Sequence, residues 1–462
     1  MLQATEYNVK DFFVWFYRTS DFLNVENRKS LEDTVKARIL FAVGLFILIV
    51  TYIFSFSLLF SNLGVIKYIL FLCLILVVPY VVLCGMVIFI YILNFCVQKP
   101  FELYLMRQAK KKLENHSGVK IAIVGSYGKT TMREIVKTVL SEGKSGMIKV
   151  STPPKNHNTP IGISRFVEGL AGDEDILVFE LGEYYPGDIN DLCRLIQPKI
   201  GVITGINEAH LDRFKSLDRT TKAIFEIADW VDSNNLYVNG ENDLAKNNAH
   251  SNNIIYNRDG VASLKTNNLK SDLTGTSFSV SVHGEEFKMH SNLLGLHNVG
   301  PLLASIDIAL KLGLSIEEIQ RGVSKTKAFE HRLNAKTDEQ GVTTIDDSYN
   351  GNPDGVKAVI EFLSTLKGAH RWYVTPGLVE TGIRTEEVHK HIGEILAKSG
   401  IEKVVLIKNS VTPFILSGLE NSGYSGEVIW FDDALSAFKA LSHLTVKGDI
   451  VLLQNDWPDQ YA

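Results

Sequence analysis

The part of the sequence best suited to chemistry is a glycine-rich segment that carries one lysine and two threonines. It consists of Gly125, Ser126, Tyr127, Gly128, Lys129, Thr130 and Thr131. Glycines allow backbone N–H groups to wrap a phosphate, and the N-terminus of a following helix adds its dipole. The Lys129 ammonium can neutralise terminal phosphates, and the Thr130 hydroxyl can hold Mg²⁺. The spacing is shorter than the common G-x4-G-K-[ST] pattern, yet we expect this segment to bind a nucleotide.

The segments around these residues are those that a phosphate-binding loop requires. An apolar run precedes the loop, and a stretch with helical periodicity follows it. Similar runs recur further along, each typical of a parallel strand that is buried on both faces. They span residues 121–125, 176–181, 200–206 and 236–239. With the helical stretches between them they predict an α/β unit, to which residues 255–300, with alternating polarity, add a small antiparallel part.

A second series of apolar runs begins after His331 and predicts a separate doubly wound domain of about 130 residues. The runs are residues 342–345, 372–374, 403–407, 428–431 and 450–453. Helical stretches lie between them. We therefore expect an α/β protein with a central P-loop domain at 115–330 and a Rossmann-like C-terminal domain at 331–462.

Residues 39–97 carry most of the apolar character of the chain and predict two membrane-spanning helices. The run 39–60 is uncharged and would extend about 33 Å as a helix, close to the ~30 Å thickness of the hydrocarbon layer. A second uncharged run, 68–97, contains Pro79 and Gly85 and could tilt or kink. The alternative is a buried helical hairpin in a soluble core, where uncharged runs of this length are rare.

Lysine and arginine residues flank the two apolar runs and set the expected orientation, because positive charge near the ends of a span is retained on the cytoplasmic side. The turn between the runs contains only Lys67. The flanking basic residues are Arg28, Lys29, Lys36, Arg38, Lys99, Arg107, Lys110, Lys111 and Lys112. We expect both termini to be cytoplasmic and no signal peptide to be cleaved. The aromatic segment within residues 1–38 suits either the membrane interface or a surface of the soluble domains.

The composition excludes several classes of protein. The chain has 462 residues, of which 45% are hydrophobic and 21% charged, with a formal net charge of -5. A chain this apolar is not disordered, and its negative charge gives no reason to expect nucleic acid as a partner. Four cysteines are too few for a disulfide scaffold, and we expect the soluble part to be cytosolic.

The sequence around the glycine-rich segment resembles the ATP loop of the Mur ligases, the ATP-dependent amide-bond ligases of peptidoglycan precursor synthesis. Further blocks follow in the same order: NHNTPIGIS at 156–164, FELGEYYPGDI at 179–189, TGINEAHLDRFKSL at 204–217, GLHNVGPLLAS at 295–305, HRL at 331–333, DDSYNGNPDGV at 346–356 and PGLVETG at 376–382. The resemblance covers roughly residues 118–455 and is closest to the members that add D-alanyl-D-alanine.

Mur ligases use ATP to convert a carboxylate into an acyl phosphate, which an amine then attacks. The resemblance implies that Lys129 and Thr130 hold the ATP phosphates and one Mg²⁺, that Glu180 is a Mg²⁺ ligand and that His210 helps to hold a second metal ion. Such side chains suit the carboxyl ends of parallel strands, where these sheets bind ligands. As isolated motifs, Glu180 and His210 would be a capping glutamate and a surface histidine.

Five further residues acquire roles by the same resemblance. Asn298 resembles the adenine contact, and Arg332 resembles the arginine that reaches the γ-phosphate from the domain junction. Asp347 resembles the C-terminal-domain residue that joins the nucleotide site when the domains close. Asn156 and Asn158 resemble asparagines on the substrate side, although they also suit a turn beside prolines. A surface salt bridge is the structural alternative for Arg332.

The sequence departs from the family pattern in three places. Family members commonly carry a carbamylated lysine that bridges the metals, whereas Ile224 stands at that position with Lys222 nearby. Residues 454–462 read QNDWPDQYA where a Lys-Gly-Ser-Arg type motif is usual. The apolar hairpin stands in place of the amino-terminal domain that grips the UDP-sugar. We therefore expect substrate recognition to differ, and the state of Lys222 stays open.

Three hypotheses about function compete. The leading one is a membrane-anchored, ATP-dependent amide ligase that joins an amino acid or dipeptide to a UDP-linked or lipid-linked cell-wall precursor. A non-catalytic, ATP-binding membrane scaffold for wall-synthesis enzymes is the alternative, which the missing lysine favours and the intact site residues oppose. An ATPase coupled to transport is weaker, because two spans are few for a pathway and neither carries an intramembrane ionisable residue.

Overall fold

The computed structural model describes residues 17, 35–61, 64–154, 157–207, 214, 216–328, 331–348, 351–368, 370–378, 381 and 384–455. The chain divides into two compact units, one up to Arg107 and one from Gln108 onward. The first unit is helical where it is described, and the second is built on two β-sheets.

The two apolar runs of the first unit form long helices. Helix α1 spans Val35–Leu59, and helix α2 spans Ile66–Leu93 and continues through Pro79. A π-helical turn, Asn94–Gln98, and helix α3, Lys99–Glu114, follow α2 without a break. The apolar runs that the sequence predicts as helices are thus helical.

Two helical segments of the described chain are long and apolar enough to cross a membrane, Ala37–Leu59 and Cys84–Glu114. Of the residues in their most apolar windows, 17% and 11% are buried. Where α1 meets α2, glycines allow a close approach. A Cβ at Gly44 would lie 2.9 Å from the Met86 sulfur, which leaves no room for a larger side chain without a shift.

The first sheet of the second unit contains ten strands. In chain order they are β1 (Val119–Val124), β2 (Val150–Ser151), β3 (Ile176–Glu180), β4 (Ile200–Ile203), β5 (Leu236–Asn239), β6 (Ile254–Asn257), β7 (Gly260–Val261), β8 (Leu264–Asp272), β9 (Gly275–Val282) and β10 (Glu285–Ser291). Their spatial order is β10-β9-β8-β7-β6-β5-β4-β1-β3-β2. Strands β1 to β6 run parallel, and β7 to β10 extend the sheet in antiparallel pairs. The predicted antiparallel addition is confirmed.

Helices cover both faces of this sheet, because alternate residues of each strand point to opposite faces. Ile121 and Ile123 of β1 lie in one core, and Ala122 and Val124 lie in the other. The helices are α4 (Lys129–Leu140), α5 (Gly143–Gly146), α6 (Pro160–Glu168), α7 (Asp188–Ile196), α8 (Leu217–Phe225), α9 (Asp243–Asn248), α10 (Val299–Lys311) and α11 (Ile316–Lys325). Helices α4, α10 and α11 pack in the first core, and α6, α7 and α8 pack in the second.

Helix α3 ends inside the second of these cores. Ala109 and Leu113 are 3% and 1% exposed and belong to the same apolar cluster as the strand residues. Lys112 Nζ donates to two backbone carbonyl oxygens near the end of α6, at 2.9 and 2.6 Å. The compact second unit therefore begins at Gln108, ahead of the boundary at residue 115 that the sequence predicts.

A second, smaller sheet carries the C-terminal domain. Its strands are β11 (Asn334–Thr337), β12 (Thr343–Asp347), β13 (Arg371–Thr375), β14 (Lys403–Ile407), β15 (Glu427–Phe431) and β16 (Ile450–Gln454), and its helices are α12 (Pro353–Thr365), α13 (Thr385–Lys398), α14 (Thr412–Asn421) and α15 (Ala434–Leu444). The spatial order is β11-β12-β16-β13-β14-β15, parallel except for β11. Helices α12, α13 and α14 pack on one face and α15 on the other, which confirms the predicted doubly wound arrangement.

Candidate active site

The glycine-rich loop joins the end of β1 to the start of α4. Gly125 and Gly128 have φ angles of 141° and 75°, in the left-handed region that favours glycine. A Cβ at Gly125 would collide with the Thr204 hydroxyl, which follows the neighbouring strand β4. Ser126 N donates to Gly205 O at 2.8 Å, and this bond also ties the loop to the chain after β4. The loop is thus held at the carboxyl edge of two adjacent strands.

Four charged side chains and one hydroxyl cluster at this edge. Lys129 Nζ donates to both carboxylate oxygens of Glu183 at 2.9 Å and also to the carbonyl oxygen of Gly125. Thr130 Oγ1 donates to Glu180 Oε2 at 3.0 Å, and Arg133 Nη1 lies 3.3 Å from the same oxygen. Strand β3 ends at Glu180 beside β1, so the pairing of these strands brings the carboxylate to the loop. The structure therefore brings together Lys129, Thr130 and Glu180.

Sequence reasoning did not single out Glu183. Its side chain is 2% exposed, and burial raises the pKa of the carboxyl above its ordinary value, although the Lys129 ammonium favours the charged form. A second carboxylate in the block that contains Glu180 was the available signal. The two glutamates and the Thr130 hydroxyl offer the oxygen ligands that Mg²⁺ prefers, so these residues fit a magnesium ion beside bound phosphates.

A cavity of about 380 Å³ opens beside the loop and is lined by both domains of the second unit. From the central domain, its walls include Tyr127, His297 and Asn298; from the C-terminal domain, they include Arg332 and Asp347. The predicted nucleotide contacts of the two domains thus face one space.

Asn298 and His297 form the buried end of this cavity. Asn298 is 5% exposed, and its amide nitrogen donates to Leu294 O at 2.8 Å and lies 3.2 Å from His297 Nε2. Burial, with a contribution from the nearby Arg258 charge, lowers the pKa of His297 to about 4. His297 is therefore neutral near pH 7 and can offer hydrogen bonds without repelling or attracting charge.

Asp347 ends strand β12 at the other side of the cavity. Its carboxylate accepts from Leu333 N at 3.2 Å and from Gln454 Nε2 at 2.9 Å. Burial raises the pKa of Asp347 to about 6, and the positive charge of Arg332 opposes this shift. The carboxylate and the guanidinium are therefore electrostatically coupled where the two domains meet.

Helix α12 of the C-terminal domain bonds to the central domain through Asp354 and Glu361. The Tyr127 hydroxyl hydrogen-bonds with Asp354, and Asn242 Nδ2 donates to the same hydroxyl at 3.3 Å. Arg258 Nη1 donates to Glu361 Oε1 at 2.8 Å. Asp354 and Glu361 are spaced i and i+7, which places them on one helical face. The glycine-rich loop is thus bonded directly to the C-terminal domain.

Three further residues that the sequence analysis singles out are Asn156, Asn158 and His210. Asn158 packs beside the predicted metal-binding strand end, since its carbonyl oxygen accepts from Gly182 N at 2.9 Å. Asn156 and His210 lie outside the described residues. Among the residues that are described, no group of three or more His, Cys, Asp or Glu side chains is arranged to hold a metal ion.

The lysine position that departs from the family pattern is apolar and buried. Ile224 is 0% exposed and packs in the second core. Lys222 points away from that core, with its side chain 76% exposed and its ammonium 2.9 Å from Asp218 Oδ2. Neither residue contributes a charge to the Lys129 and Glu180 cluster.

Comparisons with known proteins agree with this architecture. Residues 123–309 match the Mur ligase middle domain, and residues 331–454 match the Mur ligase, glutamate ligase domain. The chain is 28% identical over 301 residues to the UDP-N-acetylmuramoyl-tripeptide--D-alanyl-D-alanine ligase of Escherichia coli, with 62% of this chain and 64% of that protein covered. It is 26% identical over 352 residues to the protein of the same name from Bacillus subtilis, with 76% of each covered.

A solved structure shares the fold. The MurF ligase of Thermotoga maritima, determined in complex with ADP, superposes with a TM-score of 0.67 at 23% identity, covering 78% of this chain and 81% of that one. The chain spans less than two thirds of the length of the Escherichia coli relative. The two matched domains include the glycine-rich loop, both glutamates beside it, Arg332 and Asp347. The chain belongs to the Mur ligase family.

Proposed function

We propose that the chain is a membrane-anchored, ATP-dependent amide-bond ligase that acts on a cell-wall precursor. The observation that carries this proposal is the cluster of Lys129, Thr130, Glu180 and Glu183 at the mouth of a cavity shared by two domains. A phosphate loop alone would suit many nucleotide-binding proteins. A loop that opens on a two-domain cavity, in a chain of this family, suits the transfer of a phosphoryl group to a second substrate.

In the proposed reaction, an oxygen of the acceptor carboxylate attacks the γ-phosphorus of ATP. ADP leaves and an acyl phosphate forms; the amine nitrogen then attacks the acyl carbon, and phosphate leaves as the amide bond forms. Lys129 binds the terminal phosphates, and Arg332 stabilises negative charge from the C-terminal side. Bound Mg²⁺ would neutralise phosphate charge, and Thr130, Glu180 and Glu183 would hold it.

The substrates are proposed from the relatives. The two relatives named above are ligases of UDP-N-acetylmuramoyl-tripeptide and D-alanyl-D-alanine. We assign this chain a carboxyl-bearing wall precursor as acceptor and an amino acid or dipeptide as amine donor. Asn156 and Asn158 are proposed on the acceptor side, Asn298 at the adenine and His210 at a second metal ion.

The membrane anchor is proposed from α1 and α2. Core helices of a soluble protein are mostly buried, whereas 17% of the residues are buried in the most apolar window of Ala37–Leu59 and 11% in that of Cys84–Glu114, which begins in α2 and continues into α3. The basic residues that flank the apolar runs favour cytoplasmic termini and a cytoplasmic catalytic unit. An anchored ligase would meet a lipid-linked acceptor at the same surface, which raises its effective concentration.

The experiment uses full-length protein in lipid nanodiscs with ATP, Mg²⁺ and a panel of amino acids and dipeptides. UDP-linked and lipid-linked precursors are supplied separately, and ADP release and the new amide are measured. We expect acceptor-dependent ADP release, greater with the lipid-linked precursor. Absence of acceptor-dependent ADP release with both precursors would contradict the ligase proposal.

A non-catalytic, ATP-binding scaffold is the second candidate, and buried Ile224 is the observation that favours it. Without a carbamylated lysine, one bridging charge of the family's metal site is missing. The same experiment separates the two functions, because a scaffold would bind ATP and release no ADP in response to an acceptor.

A further inference from the structure

Glu183 binds the ammonium group of Lys129, the same group that we propose to bind the ATP phosphates. Both carboxylate oxygens of Glu183 lie 2.9 Å from Lys129 Nζ, which also donates to the Gly125 carbonyl oxygen within the loop. The side chains are 12% and 2% exposed. In this arrangement the lysine is bonded away from solvent, and a phosphate that binds Lys129 has to compete with Glu183.

The competition is unfavourable for nucleotide alone. If Lys129 moves to a phosphate, Glu183 is left as a buried carboxylate without its cation, and an unpaired buried charge is strongly destabilising. Glu180 lies on the same side of the loop and adds a second negative charge to the region that the phosphates approach. The Arg133 guanidinium lies 3.0 Å from a Glu134 carboxylate oxygen and 3.3 Å from Glu180 Oε2, whereas Lys129 is the cation that favours the charged form of Glu183.

A divalent cation removes this obstacle, because it can neutralise Glu183 as Lys129 leaves. Resting on the proposed function, we infer that Glu183 makes the release of Lys129 depend on a divalent cation, so that the protein accepts the Mg²⁺ complex of ATP and rejects free ATP. Glu183 is thus a positioning residue for Lys129 and a discriminating residue for the form of the nucleotide.

The test measures ATP affinity rather than turnover. Full-length protein in detergent is titrated with ATP by calorimetry, once with excess Mg²⁺ and once with EDTA. The Kd ratio, which is the Kd in EDTA divided by the Kd with Mg²⁺, is compared between variants. Glu183→Gln keeps the shape of the side chain and removes the charge. We expect free ATP to bind this variant more tightly than it binds the wild type, so that the Kd measured in EDTA falls by about 10-fold or more and the Kd ratio falls with it.

The matched control is Asp173→Asn, which breaks the exposed ion pair with Lys149 in the same domain. Its Kd ratio should equal that of the wild type. Thermal unfolding checks that each variant is folded, and Glu183→Ala provides a second variant if Glu183→Gln is not.

An unchanged Kd for free ATP in a folded Glu183 variant would overturn the inference, even if MgATP binds that variant more weakly, while leaving the ligase proposal intact. Failure of the wild type to bind ATP even with Mg²⁺ would instead contradict the proposed function. A Kd ratio that falls equally in the Asp173→Asn control would show a general charge effect and would also overturn the inference.

Discussion

The carboxyl edges of the two sheets in the second unit differ in how their polar groups are satisfied. At the edge of the first sheet, buried charges face opposite charges: Lys129 faces Glu183, and Arg133 faces Glu180. At the edge of the second sheet, the carboxylate of Asp347 is held by an amide, Gln454 Nε2, at 2.9 Å and by a backbone N–H. The first edge carries direct ion pairs, whereas the Asp347 carboxylate at the second edge accepts from neutral donors, with the Arg332 charge nearby.

The two edges differ in whether their polar groups can exchange partners with a charged ligand. Ion pairs can be traded for a phosphate or a metal ion, because each partner can find a new opposite charge in the ligand. Hydrogen bonds from neutral donors fix a geometry but supply no charge to exchange. The first edge is therefore suited to ATP, and the second is suited to holding one carboxylate and nearby hydrogen bonds in place.

Removal of the Lys129 side chain should have the largest effect on activity of the changes considered at the first edge. We expect Lys129→Ala to lower acceptor-dependent ADP formation by about 10³-fold, because this change removes the cation that we propose at the terminal phosphates. A coupled assay for ADP measures the effect. Lys149→Ala, which removes a lysine from an exposed pair, is the control. Turnover by Lys129→Ala within a few-fold of wild type would show that the loop is not the ATP site.

The Glu180 side of the same edge, where we propose Mg²⁺ to bind, can be weakened by a smaller change. Glu180→Gln preserves the acceptor for Thr130 but removes a charge, so the Mg²⁺ concentration for half-maximal ADP formation should rise about 10 to 100-fold. Asp173→Asn, which breaks the exposed pair with Lys149, should leave that concentration unchanged. A normal Mg²⁺ titration for Glu180→Gln would remove Glu180 from the proposed metal site.

The raised pKa of Asp347 at the second edge should make the free energy of unfolding depend on pH. The pKa of Asp347 is raised by burial from 3.8 to about 6, so its stabilising contribution is complete below pH 4 and is lost as the pH rises through 6. Relative to Asp347→Asn, the wild type should lose up to about 3 kcal/mol of unfolding free energy across that range, since one pKa unit is about 1.4 kcal/mol.

Urea unfolding at several pH values measures this difference, followed by tryptophan fluorescence, to which buried Trp372 of the C-terminal domain contributes. Parallel pH profiles for wild type and Asp347→Asn would contradict the raised pKa. The size of a constant offset between such profiles reports only the changed hydrogen bond with Gln454, so the raised pKa is supported only if the difference between the profiles changes with pH.

Loss of the hydrogen bond between Tyr127 and Asp354, which joins the two domains, should have a smaller effect. Tyr127→Phe removes the hydroxyl that joins the glycine-rich loop to Asp354 and Asn242. We expect ATP affinity to fall by about 5-fold, equivalent to about 1 kcal/mol for one net hydrogen bond. Calorimetric titration with MgATP measures the change. A larger loss would indicate that the ring, rather than the hydroxyl, holds the loop.

The outer contact of helix α12 should matter least. The Arg258 and Glu361 side chains are 30% and 47% exposed, and partly exposed ion pairs contribute less than about 1 kcal/mol. Glu361→Gln should therefore shift the MgATP Kd by less than a few-fold, and less than Tyr127→Phe does. The reverse ranking would place the main domain contact at Arg258.

Local patterns in the sequence account for most of the fold and part of the site. The glycine spacing predicts the loop, and the near-continuous apolar runs predict the parallel strands on both sides of it. Strand β11 was not predicted because Asn334–Thr337 is short and polar and lies at a sheet edge. Glu183 was not singled out because its significance comes from a contact with a residue 54 positions away.

The same reasoning explains the other omissions. The bond between Tyr127 and Asp354 joins two domains, and no periodicity within either segment reports it. Ala109 and Leu113 sit in a helix dense in lysine that resembles the polar flank of a membrane span, so their burial becomes visible only when the helix meets the core.

The burial of Ala109 and Leu113 has a consequence for how such a protein can be cut or fused. A fragment that starts at Asn115 removes two side chains from the core of the domain it is meant to preserve, and large-to-small losses of a buried leucine commonly cost about 2 to 5 kcal/mol. A fragment that starts at Gln108 retains both. A gene fusion that replaces the preceding part of this chain should therefore have its junction inside α3, ahead of Ala109, so that both buried side chains are kept.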